Sequence, residues 1–493
     1  MGRKNQKQPD IIILGLGPGD PGLLTRRSWE IISSIKEIYL RTDQHPTVSG
    51  FPKELVIHSF DHFYEEEIPF QQVYQRIAAE IINQAKKSPG VVYAVPGDPF
   101  VAEETPAMIL SHAKQENLSI EIVPGVSFLE PTFAALEMDP LPQLTILDAL
   151  ELQESHFPHF PPDQPTLIAQ LYSTEIASNV KLTLMAVFPN DHDVFLIHDA
   201  GTNSEIIEQT PLFEMDRSSK IKNRSAVLIP PLDQGSSLES FQEIIAHLRA
   251  PDGCPWDQEQ DHQSLRPNLL EETYEALEAI DANDASAMQE EFGDLLLQII
   301  LHAQIASEYG EFTMSDVIRG IYLKIVQRHP HVFEDLKLDQ ADEVIKNWER
   351  IKAEERRING EIDKSILDGV PSSLPSLTQA QTYQKRAARM GFDWEDLKGV
   401  LKKIPEEIQE INDAKEQADL NREIGDLLFS VVNVARWLNI DAESSLRDAN
   451  RRFKGRFTLV EEKARAEGRE LSEMSFEELD KLWEQAKLDL DLD

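Results

Sequence analysis

The chain has 493 residues, 41 % of them hydrophobic and 27 % charged, which is ordinary for a soluble globular protein but too long for one core. A formal net charge of −39 excludes a binder of phosphate backbones, which needs a basic face, and leaves either solvated carboxylates or carboxylates gathered to hold cations. The single cysteine, Cys254, excludes an internal disulfide and a thiolate zinc site, and fits a reducing cytoplasm.

The chain opens on a basic stretch, Met1 to Asp10, and its first apolar run, Ile11-Ile12-Ile13-Leu14, is too short for a signal peptide or a membrane span. That run is the first of five strand candidates. The others are Val91–Val95, Ile120–Val123, Thr166–Ala169 and Val194–Ile197. Continuous apolar runs, each followed by turn residues, predict buried strands of an α/β domain over residues 1–231. Three of the turns are glycine-rich: Gly15-Leu16-Gly17-Pro18-Gly19-Asp20-Pro21, Pro96-Gly97-Asp98-Pro99 and Pro124-Gly125-Val126-Ser127. Such loops let backbone approach a ligand closely. The dinucleotide pattern G-x-G-x-x-G is excluded, because Asp20 stands where its last glycine belongs and Pro18 removes an N–H that a phosphate would want.

Residues 232–240, which begin inside the stretch Pro230-Pro231-Leu232-Asp233-Gln234-Gly235-Ser236-Ser237, read as a linker. Beyond it apolar residues fall three and four apart, as in Leu295, Leu296, Ile299, Ile300 and Ala303, and strand-like runs almost vanish. This all-α region repeats itself at an offset of about 130 residues. Pro255-Trp256-Asp257 is echoed by Phe392-Asp393-Trp394, Glu291-Phe292-Gly293-Asp294 by Glu423-Ile424-Gly425-Asp426, and Trp348–Lys352 by Trp483–Lys487. The two copies are placed at 241–365 and 366–493.

Each copy predicts a carboxylate constellation. Glu271 and Glu275 share a helix face with Glu272 beside them, and Glu291 and Asp294 share a face of the next helix. A short link around Asp281 to Ala285 makes those helices antiparallel neighbours, so that the five acids converge. The second copy offers Glu406, Glu407, Glu410, Glu423 and Asp426. Converging like charges repel and require a counter-charge, for which Mg²⁺, a hard cation with oxygen ligands, is the natural choice. The bland alternative is a solvated acidic face. The recurrence of the whole pattern in the same order, at the edge of an apolar stripe, weighs against it. Basic residues follow in register: Lys324 and Arg328, then His329-Pro330-His331, in the first copy, and Arg452 and Arg456 in the second. Lys352 and Lys487 each lie four residues after a tryptophan. Cations beside a metal site would neutralise outer phosphates and the charge of the transition state, although each alone reads equally as a surface charge.

Together the Gly253-Cys254-Pro255-Trp256-Asp257 start, the paired E-E-x-x-E and E-x-x-D motifs, Arg328–Phe333 and Gly391–Trp394 resemble the MazG family. The resemblance runs from about Leu238 onward. It implies an all-α, usually dimeric enzyme that cleaves nucleoside triphosphates to monophosphate and pyrophosphate with Mg²⁺. One of the glutamates, Glu272 or Glu407 among them, would act on the attacking water, and the second repeat is favoured for activity. The glycine loops, with Leu23-Leu24-Thr25 opening a helix, resemble the tetrapyrrole methylase family. That resemblance implies S-adenosylmethionine in a cleft between two α/β lobes. The cleft would be lined by the loop of Gly17 and Pro18, by Gly97, Asp98, Pro99 and Val101, and by Ser127 and Phe128 opposite, with Gln170, Gly201 and Thr202 near the adenine.

After Pro99 the uroporphyrinogen methylases continue with a glycine- and arginine-rich segment, whereas this chain has Phe100-Val101-Ala102-Glu103-Glu104-Thr105, so the methyl acceptor is left open. The fusion resembles the bifunctional YabN type. The expectation is a multidomain cytoplasmic enzyme: a two-lobed α/β methylase-like domain ahead of two MazG repeats, homodimeric, acting on nucleoside triphosphates, with no nucleic-acid or membrane partner. Two alternatives remain open: helical repeats that bind nucleotide or metal without turnover, and a front domain that transfers methyl groups or only senses S-adenosylmethionine.

Overall fold

The computed structural model describes residues 9–66, 69–88, 90–334, 336–338, 340–358 and 365–490, without the side chains of 341, 342, 345, 346, 349, 353, 356 and 490. It divides into two compact units, Met1–Gln258 and Glu259–Asp493.

The first unit has two lobes. Its N-terminal lobe is a parallel sheet of β1 (Ile11–Gly15), β2 (Glu37–Leu40), β3 (Val56–Ser59), β4 (Val91–Val95) and β5 (Ile120–Val123), in the order β3-β2-β4-β1-β5. Helices α1 (Arg26–Ile32), α2 (Phe70–Lys87) and α3 (Thr105–Gln115) connect the strands. The continuous apolar runs follow from burial on both faces. Ile11, Ile13, Val91 and Tyr93 meet Val73, Ile77 and Ile81 of α2 and Ile109 of α3, while Ile12, Leu14, Val92 and Ala94 meet Ile31 and Ile32 of α1.

Helix α4 (Leu129–Ala135) leads into the second lobe, a mixed sheet of β6 (Thr145–Asp148), β7 (Thr166–Ala169), β8 (Asp193–His198), β9 (Ile206–Pro211) and β10 (Ser225–Ile229). Its order is β6-β7-β10-β8-β9, parallel only between β6 and β7. One face meets Ala177, Val180 and Leu184 of α5 (Thr174–Leu184). The other takes Phe128, Leu129 and Phe133 from the start of α4.

The contact boundary lies beyond the expected linker. Helix α6 (Leu238–Arg249) and the turn Pro255–Gln258 cluster with the first unit. The physical tie is Asp163, whose carboxylate accepts hydrogen bonds from the hydroxyls of Ser237 (2.8 Å) and Ser240 (2.5 Å).

The second unit is helical. Helices α7 (Arg266–Ala282) and α8 (Ala285–Glu308) form a tight antiparallel hairpin. Asn283 ends α7 in the left-handed region (φ 53°), and Asp284 caps α8 by accepting from the amides of Ser286 and Ala287. Next come α9 (Met314–Arg328), α10 (Ala341–Ile358) and α11 (Ser376–Arg389). The second hairpin is α12 (Leu397–Asp413) with α13 (Gln417–Trp437), followed by α14 (Ala442–Ala466) and α15 (Phe476–Leu490). The side-chain amides of Gln381 and Gln384 on α11 donate to the carbonyls of Ile440 (2.7 Å) and Phe429 (2.8 Å), which locks α11 onto the second hairpin. Among the described residues, no helix is long and apolar enough to cross a membrane.

Candidate functional site

In each hairpin of the second unit three glutamates converge. Glu272, Glu275 and Glu291 each bring one carboxylate oxygen within 4.8 Å of the others, and so do Glu407, Glu410 and Glu423. Spacing does the work on each helix: residues three or four apart stand one above the other, and the short link brings the facing helix into register. Of the other expected acids, Asp294 is close enough to raise the Glu272 carboxyl and Glu271 acts on it more weakly. Glu406 pairs outward with Lys403, and Asp426 is exposed; neither joins its triad.

The two sets differ in their counter-charges. In the first, burial and then Asp294, Glu275, Glu291 and Glu271 push the Glu272 carboxyl up, and burial with Glu275, Glu290 and Asp294 pushes up Glu291. Every charge acting in these shifts is another carboxylate. In the second, Lys403 Nζ lies 2.9 Å from Glu406 and 3.3 Å from Glu407, and Arg422 Nε lies 3.3 Å from Glu423. There the Glu410 carboxyl is pushed up by burial and then by Glu407 and Glu423, against the pull of Lys403. The first copy has Asn268 and Glu290 where the second has Lys403 and Arg422.

The basic residues of the first copy form one cluster. Arg328 grips Glu355 with two hydrogen bonds (Nη2 2.6 Å, Nε 3.2 Å), and its guanidinium lies 5.7 Å from the Trp348 ring centroid. Lys352 Nζ is 3.9 Å from the same centroid, and Lys324 joins Arg328 and Lys352 in lowering the Glu355 carboxyl, behind the Arg328 hydrogen bond and against burial. Sequence reading missed Glu355, which only the approach of α9 and α10 reveals. It also missed Lys403 and Arg422, although Lys403 lies one helical turn before Glu407. In the second copy Arg452 and Arg456 lie on α14, and Lys487 pairs with Glu484 on α15. Trp483 packs against the core of Val460, Ala464, Leu482 and Ala486 with its ring 5.2 Å from Phe453, so its role there is packing.

In the first unit the three glycine loops interlock beyond the carboxyl ends of β1, β4 and β5. Gly17 and Gly97 exchange backbone hydrogen bonds (3.2 and 2.8 Å). A Cβ on Gly15 would stand 2.5 Å from the Gly97 carbonyl oxygen, and one on Gly125 only 2.1 Å from it, so the loops close only without side chains. Asp98 ties them: its Oδ2 accepts from the Gly125 amide (3.1 Å) and its Oδ1 from the Phe100 amide (2.9 Å), while the Val101 amide donates to its carbonyl. Ser127 accepts from the Leu129 amide and donates to Glu130, starting α4, and Phe128 joins the second-lobe core. Ring atoms of Pro18 and Pro131 come within 3 Å of where a Gly201 Cβ would sit, which brings the first loop against Gly201 and Thr202. Gln170, held at φ 61°, accepts from the Tyr172 hydroxyl (2.7 Å). The three loops and the Gly201–Thr202 segment thus lie against one another, with Asp98 and Phe128 spending their contacts on the fold itself. Crevices beyond the carboxyl ends of parallel strands are where α/β folds place ligands.

Comparison with known proteins matches residues 10–216 to the tetrapyrrole (corrin/porphyrin) methylases and residues 260–333 and 395–458 to the MazG nucleotide pyrophosphohydrolase domain. The uncharacterized protein YabN of Bacillus subtilis is 43 % identical over 97 % of this chain and 98 % of its own length. The nucleoside triphosphate pyrophosphohydrolase/pyrophosphatase MazG of Thermotoga maritima is 46 % identical over 52 % of this chain and 97 % of its own. The nucleoside triphosphate pyrophosphohydrolase of Escherichia coli K12 is 42 % identical over 51 % of this chain and 97 % of its own.

Proposed function

The chain belongs to the family that joins a tetrapyrrole methylase domain to a two-part MazG nucleotide pyrophosphohydrolase domain, and from that premise we propose that its helical unit hydrolyses nucleoside triphosphates to monophosphate and pyrophosphate with Mg²⁺. The observation that carries this reading is the pair of glutamate triads, each with its oxygens within 4.8 Å on a helix hairpin. The raised carboxyls of Glu272 and Glu291 mark a set lacking a counter-ion, and the all-oxygen donor set suits a hard divalent cation. Glu272, Glu275 and Glu291, and likewise Glu407, Glu410 and Glu423, would hold Mg²⁺, which when bound offsets phosphate charge and polarises the attacking water.

The chain's own residues do the rest. Glu407, buried to 5 % exposure, is fixed well enough to take the proton of a water. Lys324, Arg328 and Lys352, and in the second copy Arg452, Arg456 and Lys487, would receive the outer phosphates. Substituting Glu407→Gln with Asp426→Asn, and Glu272→Gln with Asp294→Asn in the other copy, is expected to cut pyrophosphate release from nucleoside triphosphates by at least about a hundredfold. Release of orthophosphate instead of pyrophosphate by the unaltered chain would refute the assigned bond.

For the first unit the reading is S-adenosylmethionine bound in the crevice of Gly17, Pro18, Gly97, Pro99, Val101, Ser127, Gln170, Gly201 and Thr202, with Asp98 and Phe128 positioning the loops, and methyl transfer to a small acceptor. Calorimetric titration with S-adenosylhomocysteine tests it. The helical unit leaves apolar side chains in water, including Phe292 (49 % exposed), Ile321 (49 %) and Tyr322 (63 %), which supports a homodimer covering those faces. Light scattering that returned a monomer mass would remove that assignment. Cysteine usage and the acidic balance support a cytoplasmic location without a nucleic-acid partner.

A further inference from the structure

A second cluster of the first unit stands beside the glycine crevice, at the carboxyl end of β2. The Arg41 amide donates to the Ala94 carbonyl, which seats Arg41 next to the end of β4. Its guanidinium ion-pairs with Glu103 Oε1, donates from Nε to the Tyr64 hydroxyl (3.0 Å), and lies 5.9 and 5.7 Å from the ring centroids of Tyr64 and Tyr74. Tyr172, from the other lobe, lies within the electrostatic reach of Arg41, Tyr74, Asp148 and Glu103. Glu103 sits in the segment that departs from the uroporphyrinogen methylases. Ala102, just before it, adopts the left-handed region (φ 56°) that side chains avoid.

Glu103 is the informative residue. Its side chain is only 4 % exposed, and its Oε2 is buried without a hydrogen-bond partner among the described residues. An orphaned buried carboxylate oxygen is costly and needs a reason. Arg41 satisfies Oε1 but not Oε2, and every polar valence of Arg41 described above is already directed at Glu103 or Tyr64. Among the described residues, the ionic side chains acting most strongly on Tyr74 and Tyr172 are Arg41 against Glu103, Glu104 and Asp148, so the balance there is acidic. An acidic site beside tyrosine rings, with Arg41 over those of Tyr64 and Tyr74, repels a polycarboxylate and attracts a planar group that donates N–H bonds or is positively charged.

We propose that Glu103, Arg41, Tyr64, Tyr74 and Tyr172 form a recognition subsite for a planar, nitrogen-bearing cation or N–H donor, the part of the methyl acceptor that Glu103 Oε2 receives. As an acceptor site it rests on the methyltransferase reading of this unit; as a cation subsite it stands alone.

Benzamidine, a planar aromatic cation with N–H donors, is a suitable probe, with benzoate as its anionic counterpart. Both are titrated into the full chain by calorimetry, with S-adenosylhomocysteine titrated separately. Benzamidine is expected to bind at least about tenfold more tightly than benzoate, and to weaken by at least about tenfold in Glu103→Gln. Tyr74→Leu, at a half-buried position outside the glycine crevice, is expected to weaken benzamidine and leave S-adenosylhomocysteine unaffected; it serves as the second arm if Glu103→Gln fails to fold. Equal affinity for benzamidine and benzoate, or benzamidine binding untouched by both substitutions, overturns the subsite. S-adenosylhomocysteine bound with benzamidine rejected would leave the methyltransferase reading standing and remove this inference. The reverse pattern would keep the cation subsite and remove its role as acceptor site.

Discussion

The two glutamate triads are built by the same backbone device and differ in what surrounds them. In the first, Glu272 and Glu291 are pushed up by burial and by further carboxylates alone. In the second, Lys403 leans on Glu407 and Arg422 on Glu423, and Lys403 opposes the upward shift of Glu410. The first set is thus held in an uncompensated state, and the second is partly self-neutralised by cations that an arriving metal has to turn aside. Motif identity does not imply equal affinity: two side chains outside the motif, Lys403 and Arg422, set the local field.

That contrast can be broken outright. Glu272→Gln with Glu291→Gln should abolish divalent-ion binding by the first set, and Glu407→Gln with Glu423→Gln by the second. Calorimetry with Mg²⁺ should then lose one class of site in each variant. Losing both classes in either variant would mean the sets are not separate. Second in size, Mg²⁺ at about a hundred times its Kd adds about 2.7 kcal/mol to the helical unit, which raises its Tm by roughly 5–10 °C. The gain should fall more when the first set is removed. A chelator should return the unfolding curve to its metal-free position.

A smaller effect sharpens the comparison further. Asn268→Lys with Glu290→Arg gives the first copy the cations of the second, and should weaken its Mg²⁺ affinity by about a few-fold. Lys403→Asn with Arg422→Glu should strengthen the second copy in the same proportion. If neither exchange moves the affinity, the field argument fails.

A separate effect lies in the other unit and concerns pH. Burial, opposed by Arg41, raises the Glu103 carboxyl to about 7 from an ordinary 4.5, so the folded chain holds this proton more tightly than the unfolded one. The resulting stabilisation is complete below pH 4.5 and is lost as pH rises through about 7. Thermal unfolding across that window should be flatter in Glu103→Gln than in the unaltered chain.

Much of this was legible in the residues. The strands read from apolar runs are β1, β4, β7 and the body of β8, where burial on both faces leaves a continuous run, and the edge strand β5, whose Ile120 and Ile122 stay apolar at partial exposure beside the buried Val123. β2, β3, β6 and β9 escaped because they are short or lie at sheet edges with mixed exposure, as in Ile206–Pro211. β10 is fully buried yet opens on Ser225 after a charged stretch, which hid it. The triads were legible because helical periodicity fixes which acids share a face. Glu355 and the Arg41–Glu103 pair were not, since each depends on segments brought together only by tertiary packing. The packing of Trp483 on the core of Val460, Ala464, Leu482 and Ala486 likewise appears only once α14 and α15 are brought together.

One feature of the helical unit links its halves. Asp281, on the last turn of α7, receives Arg447 of α14 at 3.1 Å. Helix α7 has the acids Glu271, Glu272, Glu275, Glu278 and Asp281 against a single Arg266, so this guanidinium is a cation lent by one repeat to the other's acidic helix. A fragment containing the first repeat alone would lose that loan and its metal affinity would be overstated. Neither repeat, once excised, reports the behaviour it has beside its sibling.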